Sequence, residues 1–320
     1  MTSHVDIQWL AERTRAQAGP ASGGLTVRVA RGNGTSIAYH EGTTIVVPLR
    51  GAVRVATRAH DLTILAGSAL VPDRAAEIRG TGRSALWATV TGTDRAWRMA
   101  LGHLIAPNER CAPLAGLQPD ARRIARAVVG LLRRRARGSR LPIAGMDEDR
   151  FLLTLARNSQ DHLLVAERCP GRTLGQRIKV YTRLQTARVL MLAQSNSHVS
   201  IERLAALSGY SAAHFMRTFH ATFGETVYGF LTRSRLAHAR SLLASGEMAV
   251  AEVAIASGFE DRGTFSRQFR RHFGVTAVAW RRRHACPSPP GTATRQRERH
   301  RAAFGTSPDR RWNGGLSMYA

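Results

Sequence analysis

A pattern that occurs twice, about 50 residues apart, limits what this chain can fold into more than any other feature. The first copy, IERLAALSGYSAAHFMRTFHATFG, runs from Ile201 to Gly224. The second, VAEVAIASGFEDRGTFSRQFRRHFG, runs from Val250 to Gly274 and carries one extra residue in its turn. Each copy spells a short helix, a glycine turn and an arginine-bearing second helix that closes on Phe-Gly. Such a duplication predicts two helix-turn-helix units, which place a helix in a DNA groove.

The phase of each helix follows from its apolar residues. In the first copy Ser200 caps a helix whose Ile201, Leu204, Ala205 and Leu207 recur at helical spacing. Gly209 ends it, and Ser211 caps the next. Phe215 and Phe219, four apart, face inward together. Ser211, Ala213, His214, Met216 and Arg217 then belong to the candidate DNA-binding set, with Ala213, Met216 and Arg217 able to meet base edges. Arg217 can donate two bonds to guanine O6 and N7, whereas Ala213 and Met216 offer only apolar contact. In the second copy Val250, Val253 and Ala254 turn inward, Gly258 and Phe259 mark the turn, and Asp261 is the cap. Phe265 and Phe269 face the core. Arg262, Gly263, Thr264, Ser266, Arg267 and Arg270 complete the candidate DNA-binding set. Gly263 offers no side chain and lowers helix propensity. The second unit is therefore expected to position more and specify less, with Arg262, Arg270 and Arg271 near phosphates.

Between the copies, VYGFLTRSRLAHARSLLAS reads as one helix, with Leu231, Leu236, Ala239, Leu242 and Leu243 on its apolar side. At 1.5 Å per residue it spans roughly 28 Å. Successive major grooves on one DNA face lie about 34–36 Å apart. A connector of that length can set two recognition helices into neighbouring grooves.

Charge agrees in direction without locating the site. The formal net charge is +25, which favours polyanions. Residues 171–283 hold 17 Lys+Arg against 6 Asp+Glu, and residues 1–170 hold 24 against 14. Lys179 is the sole lysine, and this arginine bias is equally what a G+C-rich coding sequence would produce.

From Thr182 to Arg283 the chain resembles the AraC/XylS family of bacterial transcriptional regulators. The resemblance rests on LAALSGYSAAHF, FGETVYGFLTRSRLAHARSLL, VAEVAIASGFEDRGTFSRQFRRHFGV and the closing WRRR. Val227 and Ala277 stand where such units usually have proline. The resemblance implies a cytoplasmic, sequence-specific regulator, with double-stranded promoter DNA and RNA polymerase as partners. It also implies a homodimer, a small organic effector bound ahead of the DNA-binding part, and in most members activation of transcription.

The first half has a different texture. From Leu25 to Val90, short β-branched runs recur with Gly, Pro and Asp between them, which predicts a small barrel or jelly roll. TTIVVPLRGAVRVAT suggests a hairpin turning at Arg50-Gly51. Among the barrel residues, Ile45, Val47, Val55 and Trp87 serve equally as core or as pocket lining. From about Pro119 the period becomes helical: ARRIARAVVGLLRRRA aligns Ile124, Val128, Leu131 and Leu132. A second stretch, Arg150 to Ala166, carries Phe151, Leu152, Leu155 and Leu163. RCPGRTLGQ reads as a linker.

The predicted class is α+β: an N-terminal cupin-like barrel or jelly roll with trailing helices, then an all-α double helix-turn-helix domain. The expected divisions are 1–115 for a sensing domain, 116–170 for a helical dimerisation or linker region, 171–283 for DNA binding, and 284–320 for a disordered basic tail.

No signal-peptide core and no run of 18 apolar residues is present, so no membrane partner is expected. Cys111, Cys169 and Cys286 are odd in number and lack a C-x-x-C spacing. No cofactor or metal is expected. A cupin-type metalloenzyme would need spaced histidines with a carboxylate; His40-Glu41 stands alone, with His60 and His103 distant. No nucleophile elbow supports hydrolysis, and no catalytic residue is assigned. Beside the effector-responsive regulator stands a constitutive one whose first half only dimerises.

Overall fold

The computed structural model describes residues 5–18, 23–57, 61–73, 75–106, 110–136, 144–193, 200–246 and 248–284. His60, Cys286 and the expected basic tail beyond His284 lie outside them. Eleven strands among the described residues form two sheets. The first contains β1 (Val5–Trp9), β3 (Leu25–Arg31), β5 (Thr43–Arg50), β8 (Leu70–Val71), β10 (Leu86–Gly92) and β11 (Gly116–Leu117), in the order β1-β3-β10-β5-β8-β11. The second contains β2 (Arg15–Ala18), β4 (Ser36–Tyr39), β6 (Ala52–Thr57), β7 (Asp61–Leu65) and β9 (Ala76–Gly80), in the order β2-β4-β9-β6-β7.

Side-chain alternation explains why the two sheets differ in composition. Ala30, Val46, Leu70 and Trp87 of the first sheet share one core with Ile37, Val53, Val55, Ile64 and Ile78 of the second. On the other face of the first sheet, Val27, Val29, Ile45, Val47, Ala88 and Val90 pack under helices. Both faces of the first sheet are covered, so β5 is a continuous apolar run. The strands β6, β7 and β9 instead alternate buried with more open positions, because the second sheet is covered on one face.

Two expectations need correction. The described strands form two sheets and not one closed barrel. No hairpin joins β5 to β6: β5 pairs with β10 and β8, β6 with β7 and β9. Gly51, at φ +73°, carries the chain from one sheet to the other. Two β-branched runs around a glycine fit either outcome, and only non-local pairing decides. Ile45 and Val47 line no space between the sheets. The period of two along β5 sends them to the helical side, while Val55 and Trp87 do face the inter-sheet core.

The helical cover begins with α1 (Asp94–Leu101), capped by Thr93, whose Oγ1 accepts from the Ala96 N–H at 3.0 Å. Trp97 is buried and donates from Nε1 to the Thr43 carbonyl at 3.3 Å. The amphipathic α2 (Ala121–Ala136) buries Ile124, Val128 and Leu132; α3 (Ala144–Glu167) buries Phe151, Leu152, Leu155 and Leu163. Both pack on the first sheet or against each other.

RCPGRTLGQ is exposed along its length apart from Cys169. Cys169 is buried, and Leu174 already opens α4 (Leu174–Ala193). From there α5 (Ile201–Leu207), α6 (Ala212–Phe223), α7 (Val227–Ser245), α8 (Val250–Ala256), α9 (Arg262–Phe273) and α10 (Ala277–His284) complete the chain. No helix among the described residues is long and apolar enough to cross a membrane.

A buried polar joint ties α4 to the first half. His162 Nε2 donates to Gln118 Oε1 at 2.9 Å, because that oxygen can only accept. His162 Nδ1 is then a lone pair and accepts from the Tyr181 hydroxyl at 2.6 Å. Gln185 Nε2 donates to the Tyr181 oxygen at 2.5 Å, and Asn158 Nδ2 donates to Gln118 Oε1 at 2.8 Å. Farther along α4, burial holds the Arg188 guanidinium at about 10, and it lies over the rings of Phe223 (4.3 Å) and Phe230 (4.8 Å) with Glu225 at 3.9 Å.

Burial, with the nearby Arg188 charge second, holds the His162 pKa at about 3. A base whose folded pKa lies below its unfolded value of about 6.5 stabilises the fold fully above that unfolded value. That contribution is lost as pH falls towards the folded value, at up to about 1.4 kcal/mol per unit. Unfolding stability should therefore drop between pH 6.5 and 5, before most carboxylates titrate. Burial lowers His238 as well, with the same sign. His162→Gln should remove most of the slope in urea titrations across that window; an unchanged slope would place the titration elsewhere.

Candidate nucleic-acid interface

The first unit forms because every turn of its backbone has a local partner. Ser200 Oγ accepts from the Arg203 N–H at 3.2 Å, and Ser211 Oγ accepts from the His214 N–H at 3.4 Å. Gly209 sits at φ +73° in the turn and Gly258 at φ +84° in the equivalent one. An L side chain at either position is strained, which is why glycine recurs there. Phe215 and Phe219 are fully buried 5.8 Å apart, with Phe223 at 4.8 Å from Phe219. Their core includes Tyr181, Leu184, Leu204 and Ala205, and also Leu114, Leu163, Ala166 and Cys169 from the first half.

The second unit repeats the plan with its own core. The Ala249 N–H donates to the Glu252 carboxylate at 2.7 Å, and Asp261 Oδ1 accepts from the Thr264 N–H at 2.7 Å. The capping bonds from Thr264 hold the Asp261 carboxyl below the usual carboxylate range. Phe265 and Phe269 are fully buried with Val253, Ala254, Phe259, Leu236, Ala239 and Leu243, all from α7 to α9. The connector α7 covers the residues its pattern predicts, Val227 to Ser245. Val227 and Ala277 are each the first helical residue after a threonine cap, Thr226 and Thr276. A proline is tolerated there because that N–H has no intrahelical partner, so losing it costs the helix nothing.

Most of the candidate reading residues reach the surface. Ser211, Ala213, His214, Met216 and Arg217 are exposed on α6 and its cap; Arg262, Gly263, Ser266, Arg267 and Arg270 are exposed on α9. Thr264 is half-buried. These positions stay open with the first half of the chain in place. Sequence reasoning missed two arrangements. His214 stacks on Tyr210, with ring centroids 4.6 Å apart and 28° between planes. Arg267 Nη2 donates to Thr264 Oγ1 at 3.2 Å, beside Asp261. The spacing Asp261-x-x-Thr264-x-x-Arg267 was the available signal. Elsewhere, His40, Glu41 and His103 are exposed, and Cys111 and Cys169 are buried and not disulfide-bonded.

A family described as a helix-turn-helix domain matches residues 204–283. The probable transcription factor PqrA of Proteus vulgaris is 32% identical over 94 residues, which make up 29% of this chain and 77% of that protein. The chain belongs to the AraC/XylS family of transcriptional regulators. This AraC/XylS regulator is also similar to the transcriptional activator NphR of a Rhodococcus species, 35% identical over 104 residues, or 31% of this chain and 30% of that one. A solved AraC-type DNA-binding domain from Chromobacterium violaceum is 28% identical, covers 33% of this chain and 95% of its own, and has a TM-score of 0.31. The shared segment is thus most of PqrA but less than a third of NphR. An AraC/XylS regulator with this domain binds double-stranded DNA.

Proposed function

We propose that the chain regulates transcription by setting α6 and α9 into two successive major grooves of promoter DNA. The observation that carries this reading is the matched pair of twelve-residue helices, each capped, each locked inward by two phenylalanines, and each open on its opposite face. The 19-residue α7 between them is a spacer of about 28 Å at 1.5 Å per residue. Ala213, Met216 and Arg217 would meet base edges, with Ser211 and His214 beside them. Arg262, Arg270 and the α9 N-terminus would meet phosphate.

Activation of transcription is the reading that the names of NphR and RhaR support, and contact with RNA polymerase is proposed as its route. The two-sheet first half is proposed as a cupin-like jelly roll that dimerises the protein and takes a small organic effector. A constitutive regulator is the second reading. It is favoured by the reading faces being exposed in the full chain, where Trp87, Val46, Val53, Val55 and Ile78 fill the layer between the sheets.

The experiment is a gel-shift titration on a promoter fragment and on random DNA, repeated at 50 and 200 mM salt. With six to ten phosphate contacts, affinity should fall roughly 10³–10⁵-fold over that range. Arg217→Ala should weaken specific binding by about 1–3 kcal/mol and leave random DNA unaffected. A flat salt response would overturn the reading. Equal loss on both DNAs would make Arg217 a phosphate contact.

A further inference from the structure

The two units present their equivalent arginines differently. Among the described residues, no hydrogen bond or ion pair holds Arg217, and its neighbour His214 is turned onto Tyr210. Arg267 is anchored. Its Nη2 donates to Thr264 Oγ1 at 3.2 Å, and the nearby Asp261 carboxylate attracts the guanidinium. Asp261 is itself fixed by accepting the Thr264 N–H at 2.7 Å. The relay runs from the guanidinium to the Thr264 hydroxyl, and from the Thr264 N–H to the carboxylate.

Gly263 makes room for this arrangement. A Cβ placed there would meet Asp261 Oδ1 at 3.0 Å and Arg267 Nη1 at 3.8 Å. The first distance is tighter than side chains normally tolerate, and any atom beyond Cβ would compete with the guanidinium for its place. In the first unit Ala213, His214 and Ser211 occupy the equivalent positions, and none of them can build the same relay. Position 263 thus lacks a side chain of its own, and Asp261 and Arg267 lie beside the space it leaves.

We propose that Asp261, Gly263 and Thr264 are positioning residues that hold Arg267 ready to read one guanine, making the second unit a reader of sequence. This rests on α9 entering a major groove, as proposed above. Guanidinium carries five N–H donors, and one is spent on Thr264. The remaining edge matches guanine O6 and N7. Fixing the side chain in the free protein removes most of the ordering cost that a loose arginine meets on binding. It also sets the direction from which the fork arrives, so that a base offering the wrong edge gains less.

The test is selection of binding sites from a random duplex library, with the full chain and its variants Arg267→Ala, Thr264→Val, Asp261→Asn and Gly263→Gln. Asp261→Asn keeps a cap acceptor while removing the charge, so it separates the relay from helix stability. The wild type should select two blocks of sequence, one of them with a dominant guanine that Arg267→Ala abolishes. Thr264→Val, Asp261→Asn and Gly263→Gln should each relax that guanine by roughly two- to tenfold, the share expected for ordering one long side chain. The other block and the affinity for random DNA should stay as they were. If Arg267→Ala loses the guanine while the three positioning variants select the wild-type pattern, positioning is wrong and the groove reading stands. If Arg267→Ala weakens every sequence alike, Arg267 is a phosphate contact and the inference is overturned. A wild type that selects no sequence at all overturns the groove reading itself.

Discussion

Phe219→Ala and Phe269→Ala should each cost about 3–5 kcal/mol, the usual result of emptying a buried phenylalanine site, yet unfold different amounts of the protein. Both rings are fully buried at equivalent positions of the repeat. Phe269 lies in a core drawn from α7 to α10 alone. Phe219 lies in a core that also holds Leu114, Leu163, Ala166 and Cys169 from before α4. A loss of that size is a large fraction of the roughly 5–15 kcal/mol that holds a domain together. Phe269→Ala should therefore produce a separate early transition in urea, visible at Trp280, which is half-buried against the second core. The main transition, carried by buried Trp87 and Trp97, should stay in place. Phe219→Ala should move the main transition itself. One shared shift for both variants would show that the two units unfold as one.

The repeat was legible almost to the residue, and the reason is that its determinants are local. Serine, threonine and aspartate caps, glycine turns and phenylalanines four apart all act within one or two turns of chain. They fix which way each helix faces before any tertiary contact forms. That is why α7 begins and ends where its pattern predicts, and why Met216 and Arg217 are exposed as expected. The first half was legible only as strand-rich, because pairing depends on partners distant in sequence. Its strands β1, β2, β4 and β9 carried too little pattern to be read, and the Gly51 corner looked like a hairpin. The helix α1 was also missed, being eight residues with two arginines and one aspartate among its apolar positions.

The polar joint had no sequence signal at all. Gln118, His162, Tyr181 and Gln185 are single polar residues in otherwise amphipathic stretches, and nothing in their spacing shows that they meet. The Arg267 relay is an intermediate case. Its residues recur every three positions along one helix face, as side chains that touch must, but the same spacing occurs on many solvated faces. What distinguishes it is Gly263, whose missing side chain reads as a defect until the guanidinium is seen in the space beside it.

A fragment of residues 171–284 should keep both helix-turn-helix units but lose much of the first unit's stability. We propose position 171 as the start of the DNA-binding part, yet the core around Phe215 and Phe219 continues across it. Burying one leucine side chain is worth about 1.5–3 kcal/mol, so removing Leu114 and Leu163 together costs about 3–6 kcal/mol. The joint makes this separable from a general effect of truncation. In the full chain, Tyr181→Phe leaves His162 Nδ1 and Gln185 Nε2 without their bonds to the hydroxyl, at a cost of about 1–3 kcal/mol. In the fragment His162 is absent and α4 is open to water on that side, so the same substitution should cost close to nothing. Urea midpoints of the four proteins complete a cycle whose coupling energy measures the joint. A Tyr181→Phe cost that is equal in fragment and full chain would mean that α4 does not depend on the first half. The regulator would then consist of two independent bodies, and anything bound by the sheets would have no route through α4 to the first recognition helix.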